Sequence, residues 1–109
     1  MRKGITQDEF NARIRRLKGL YPYQFRGLDD FEIGRGWVIV IEEMAAHIHA
    51  LMPESERQRF VFTQIKEKFG SGRFYWNYTQ AADKARQVDV WTVVHRYEQR
   101  AETTCAVCG

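Results

Sequence analysis

Cys105-Ala-Val-Cys108 has the spacing of a metal-binding knuckle, in which two thiolates hold one zinc ion. A closed structural site needs two more ligands, and the sequence contains no second cysteine pair. His95 lies upstream on what reads as the same helix, so it reaches the pair only if the chain folds back. His47 and His49 are two apart on a helix and diverge. The pattern favours two free thiols on a frayed C-terminus over zinc, with a site shared across a dimer as a remaining alternative. No cofactor is expected. Glu42 and Glu43 are adjacent, so they too diverge and cannot work as an acid–base pair. His95 and Glu98, three apart, read as a surface pair. There is no glycine-rich phosphate loop, no His-Glu-x-x-His and no nucleophile with an evident base, so the expectation is a non-enzymatic protein.

The second constellation is cationic and aromatic. Lys66, Lys68 and Arg73 interleave with Tyr75, a combination that suits phosphates and a base stacked on the ring. The competing reading is the solvated face of a small sheet, where lysines also discourage edge pairing. Tyr21 and Tyr23, in a loop around Pro22, and Arg73, beside the turn, are candidate anchors for a protein partner.

These residues need a scaffold, and Arg59 to Tyr78 reads as a β-hairpin at its centre. Gly70-Ser71-Gly72 supplies the turn, with either Gly70-Ser71 or Ser71-Gly72 as a two-residue loop. Val61, Ile65 and Phe69 then share one face with Phe74, Trp76 and Tyr78. Lys66, Lys68, Arg73, Tyr75 and Asn77 take the other. Glu67 falls on the aromatic face and needs a partner there, for which Arg96 and Arg100 are candidates. An isolated hairpin is marginal in water, so helices must cover its aromatic face.

Thr6-Gln-Asp-Glu9 is a capping box that opens a helix to about Gly19, with Phe10, Ile14 and Leu17 inward. Arg13, Arg15, Arg16 and Lys18 crowd its later half, a pattern that favours solvated cations near a helix C-terminus over the alternative of a binding patch. A second helix runs from about Trp37 to Met52, with Trp37, Ile41, Met44, Ala45, Ile48 and Met52 on one stripe, and Pro53 ends it. Glu54 to Gln58 is a charged connection. Thr79 to Gln87 is polar, either loop or a first helical turn. The last helix spans Val88 to about Thr103, with Val90, Val94, Tyr97 and Ala101 inward and Trp91 beside them. The fold expected is α+β: a small single domain over residues 1–109, in the order α-α-β-β-α, with helices packed on a short antiparallel hairpin.

The chain has 109 residues, 44% of them hydrophobic and 14% aromatic, enough for one packed core. The net charge of +3 permits nucleic-acid contact without requiring it, and argues against a protein that mimics DNA. No apolar run approaches a membrane span, and the N-terminus lacks a signal-peptide segment, so a cytoplasmic protein with no membrane partner is expected.

Four features together resemble a family of small, mostly uncharacterised proteins of bacteriophage and bacterial genomes. They are Gly36-Trp37 opening a helix, Gln64-Ile-Lys-Glu-Lys-Phe-Gly70, Arg73-Phe-Tyr75, and Cys105-Ala-Val-Cys-Gly109. The resemblance covers about residue 31 onward. Ser71-Gly72 departs from it, since a larger residue is expected before the arginine. The resemblance implies a phage or mobile-element context. From that context comes the functional expectation: a binding protein that inhibits a host protein or ribonucleoprotein, with an anti-CRISPR role as its specific form. The alternative is a small nucleic-acid-binding module using the basic hairpin face, with or without zinc.

Overall fold

A computed structural model describes residues 4–78 and 84–109. Thr6 holds an extended backbone and its Oγ1 accepts the Glu9 N–H at 3.1 Å, so helix α1 starts where the capping box places it and runs Gln7–Leu20. The expected loop after it contains a one-turn helix, α2 (Pro22–Phe25), with proline in its first turn. A single 3-10 turn, Arg35–Trp37, leads into α3 (Val38–Leu51), whose apolar stripe is buried along its length. The charged connection holds another single turn, α4 (Glu54–Arg57). Strands β1 (Phe60–Lys68) and β2 (Ser71–Tyr78) form the antiparallel hairpin, and α5 (Lys84–Glu102) closes the chain's helical set. The architecture is the expected α+β arrangement, with two short helices added. Of the polar segment 79–87, residues 79–83 lie outside those described, and 84–87 are helical.

The hairpin turn is one residue earlier than the glycines suggest. Lys68 pairs with Ser71, so Phe69 and Gly70 form the two-residue loop, with φ of 53° and 79°. Positive φ at both positions is what a type I′ hairpin turn requires. Phe69, expected on the buried face, is instead 94% exposed at the tip. Gly72 belongs to β2, where the Phe74 ring lies over it; a Cβ there would come within 2.8 Å of Phe74 Cζ. A second correction comes from a bulge at Thr63, between the pairs Phe62–Trp76 and Gln64–Tyr75. A bulge switches which residues face inward. Phe60 and Phe62 are therefore buried with Ile65 and Phe74, while Val61 opposes Asn77 on the outer face. Trp76 and Tyr78 are only half-buried, and Glu67 is exposed, so it needs no buried partner.

One hydrophobic cluster joins α1, α2, α3, the hairpin and α5. Phe25 of α2 stacks on Phe62 at 5.5 Å, which seals one side of the hairpin's inner face. Helix α5 lies across β2 and α3, burying Val90, Val93, Val94 and Ala101. Its Glu98 Oε2 accepts the Phe74 N–H at 2.9 Å, which occupies a donor on the open edge of β2. On the other edge, Glu32 pairs with β1: its N–H donates to the Ile65 carbonyl and its carbonyl accepts from Glu67. Arg13, expected among solvated cations, forms a two-pronged ion pair with Glu42 of α3, and that carboxylate raises its pKa.

Candidate functional site

The cysteine turn is docked, which corrects the expectation of a frayed terminus. After α5 the chain reverses and runs back against the 3-10 turn. The Gly36 N–H donates to the Ala106 carbonyl at 2.8 Å, and the Ile5 N–H to the Val107 carbonyl at 3.2 Å. Trp37 Nε1 donates to the Thr104 carbonyl at 2.9 Å. This contact is tight because of two glycines. A Cβ on Gly34 would sit 2.4 Å from the Ala106 oxygen, and one on Gly36 would sit 2.3 Å from the Cys105 oxygen. Residues 105–109 themselves close one turn through the Gly109 N–H to Cys105 carbonyl bond at 2.9 Å.

Within that turn the two cysteines differ. Cys105 is exposed and Cys108 is half-buried. The N–H groups of Val107 and Cys108 both point at Cys105 Sγ, each at 3.4 Å. The Cys108 N–H, the Cys108 thiol and the Val107 N–H together pull the Cys105 thiol down from 9.0 to about 7. Alkylation of the native protein by iodoacetamide should therefore be half-maximal near pH 7 at Cys105. A profile centred at the ordinary thiol value would show that the two N–H groups do not hold the thiolate. Among the described residues no group of three or more His, Cys, Asp or Glu side chains is arranged to hold a metal.

The second candidate is the outer face of the hairpin with the neighbouring ridge of α5. Lys66 and Arg73 are paired across the strands, and the Lys66 ammonium lies 5.6 Å from the centre of the Tyr75 ring. Gln64, Thr63 and Asn77 complete an open groove around Lys66 and Tyr75. Tyr75 also borders a second groove, between β2 and α5, with Trp91, His95 and Glu98. There the Trp91 and His95 rings stack at 4.9 Å and 14°. Lys68 extends the same strand face to the tip, where its ammonium lies 5.9 Å from the Phe69 ring. The structure thus brings together Lys66, Lys68, Arg73 and Tyr75, as expected from alternation along the strands.

No family model, curated protein or solved structure matches the chain.

Tyr21 and Tyr23 do not join this face. Both rings pack on His49 of α3, at 5.0 and 5.9 Å. Tyr23 is 6% exposed, and its hydroxyl bonds His49 Nδ1 at 2.9 Å and accepts from Gln24 Nε2 at 3.0 Å. Its place as an exposed anchor is therefore corrected: it is a core residue with a satisfied hydroxyl, whose pKa burial raises. Burial and the charge of Arg57 lower the His49 pKa. Tyr21, half-buried, lines a groove of about 510 Å³ with Arg13, Arg16, Leu20 and Glu42. His47 points elsewhere, its Nδ1 3.3 Å from the Tyr97 hydroxyl, so the two α3 histidines diverge as their spacing requires.

Phe69 and Trp91 are exposed contact candidates that the sequence pattern did not single out. Phe69 looked like a strand residue because the glycines beyond it drew the turn towards themselves. Trp91 lies off the Val90–Val94 stripe of α5, and His95 at the next turn is the local signal that a second, exposed face exists.

Proposed function

We propose that this chain is a non-enzymatic binding protein that docks on a host macromolecule through the tip and outer face of its hairpin and the Trp91 ridge of α5. The observation that carries the docking surface is the run of exposed aromatic rings: Phe69 at 94%, Trp91 at 57% and Tyr75 at 47%, set among Lys66, Lys68, Arg73 and His95. Large aromatic side chains are costly to leave in water, and aromatic and arginine anchors supply most of the energy of protein interfaces. The backbone at Phe69 sharpens the point. A bulky residue at positive φ is strained by roughly 1–2 kcal/mol, and nothing in the core requires a phenylalanine there. The partner class rests on the resemblance of the Gln64–Gly70, Arg73–Tyr75 and Cys105–Gly109 motifs to proteins of phage genomes: a host protein or ribonucleoprotein in the cytosol, inhibited on binding, with an anti-CRISPR role as the specific form.

Phe69→Asn separates stability from function. Asparagine accepts positive φ more readily, so the variant should be more stable by up to about 1 kcal/mol in urea denaturation. It should also lose a partner that the wild type captures from nuclease-treated host lysate. A variant that is destabilised, or that binds as the wild type does, would remove Phe69 from the contact surface.

The Lys66–Tyr75 pair favours a second reading, a nucleic-acid module, because it presents a ring for base stacking beside a cation for phosphate. Titration into a labelled oligonucleotide at two salt concentrations distinguishes the two. In the nucleic-acid case, each phosphate contact contributes about 0.7–0.9 to the log–log salt slope, and replacing Lys66, Lys68 and Arg73 by glutamate abolishes binding without unfolding the protein. The protein-partner reading predicts weak oligonucleotide binding and capture that survives nuclease.

A further inference from the structure

We propose that Cys105 and Cys108 form a thiol–disulfide exchange site, in which exposed Cys105 attacks a disulfide-bearing co-substrate and half-buried Cys108 resolves the adduct. The site goes beyond the binding role and uses none of the residues assigned to it. Three observations carry it. The turn is built into the fold: the cavity left by Gly34 and Gly36 receives residues 105–109, and Trp37 Nε1 anchors the approach at Thr104. That platform fixes an exposed cysteine and a sheltered one within a single turn, closed by the Gly109 to Cys105 bond. Two backbone N–H donors of the turn, those of Val107 and Cys108, converge on the exposed sulfur, Cys105 Sγ. Two thiols complete such a site, whereas a closed metal site needs four ligands and the described residues gather no group of three.

The exchange balances as follows. Cys105 releases its proton to water and its thiolate attacks one sulfur of the co-substrate disulfide; a Cys105–substrate bond forms as the substrate S–S bond breaks, and the other half leaves as a thiolate that takes a proton from water. Cys108 releases its proton to solvent, and its sulfur attacks Cys105 Sγ. A Cys105–Cys108 disulfide forms, and the second half leaves as a thiolate and is protonated. The co-substrate gains two electrons and two protons, and the dithiol loses the same. Each chain reacts once, so no turnover is implied.

The test uses the full reduced chain with oxidised glutathione as the probe, acid quenching and mass spectrometry. The wild type should pass to the internal disulfide with little standing adduct. Cys108→Ser should hold glutathione on Cys105. Cys105→Ser should react at Cys108 at least about tenfold more slowly, because Cys108 is half-buried and Cys105 Sγ receives the donors. Partial alkylation of the wild type, mapped by peptide, should label Cys105 first and requires no variant to fold. Equal rates at the two cysteines would overturn the proposal. So would a wild type that accumulates adduct without an internal disulfide, or a purified protein whose two thiols are masked by a stoichiometric zinc ion until chelator is added.

Discussion

Trp37→Ala is expected to cost about 3–5 kcal/mol of stability, the range for emptying a large aromatic side chain from a core. Trp37 is 2% exposed. It stands where the 3-10 turn passes into α3, so it packs into the central cluster while its indole N–H reaches Thr104. The alanine variant therefore loses apolar burial and also leaves the Thr104 carbonyl without that donor. Trp37→Phe keeps most of the volume and isolates the hydrogen bond, with an expected cost of roughly 1–3 kcal/mol. Trp76, assigned by strand alternation to the buried face, is only half-buried and packs on Phe60 at 5.9 Å. Trp76→Ala should accordingly cost clearly less than Trp37→Ala. Urea denaturation followed by far-UV circular dichroism measures all three. A Trp76 variant weaker than the Trp37 variant would mean that the hairpin, and not the start of α3, carries the core.

The order of elements was legible because each long one has a local cause. The capping box at Thr6, the stripe from Trp37 to Met52 and the proline after it act over one or two turns of chain, so the sequence states them directly. The register of the hairpin was not legible, for a physical reason. Phe60-Val-Phe-Thr63 offers an apolar residue to either face, so alternation there decides nothing. Phe25, far away in sequence, settles the choice by stacking on Phe62, and the bulge at Thr63 reconciles it with Ile65 further along. Three nearby glycine and serine residues likewise pointed to the turn, yet Gly72 serves the Phe74 ring and Phe69 takes the strained position. Strain of this kind is invisible to propensity, since propensity would never place phenylalanine there. The basic face was legible because Lys66, Arg73 and Tyr75 lie on the turn side of the bulge, where the parity is undisturbed. The docked cysteine turn was not, because Gly34 and Gly36 read as local punctuation while their partner lies at the other end of the sequence.

Gly36→Ala tests that long-range fit most directly, and its effect should be large for a single methyl group. The added Cβ would stand 2.3 Å from the Cys105 oxygen, 2.5 Å from the Gly109 nitrogen and 2.8 Å from the Cys108 nitrogen. All three are backbone atoms, so no side chain can swing aside to make room. Either the turn leaves the 3-10 segment, losing the Gly36–Ala106 hydrogen bond, or α3 shifts at its start, where Trp37 is buried. Both routes should cost roughly 1–3 kcal/mol, the usual scale for overpacking a tight contact. Gly19 provides the control. It lies in the last turn of α1, and a Cβ there meets nothing within 4 Å, so Gly19→Ala should stabilise the protein by about 0.5–1 kcal/mol through helix propensity. The two variants make the same chemical change with opposite expected signs. Departure of the turn would also scatter the Val107 and Cys108 N–H donors, so the alkylation profile of Cys105 in Gly36→Ala should move up from near pH 7 towards 9.0. A Gly36→Ala protein as stable as the wild type, with its Cys105 profile unmoved, would mean that the turn is not held against the 3-10 segment at all.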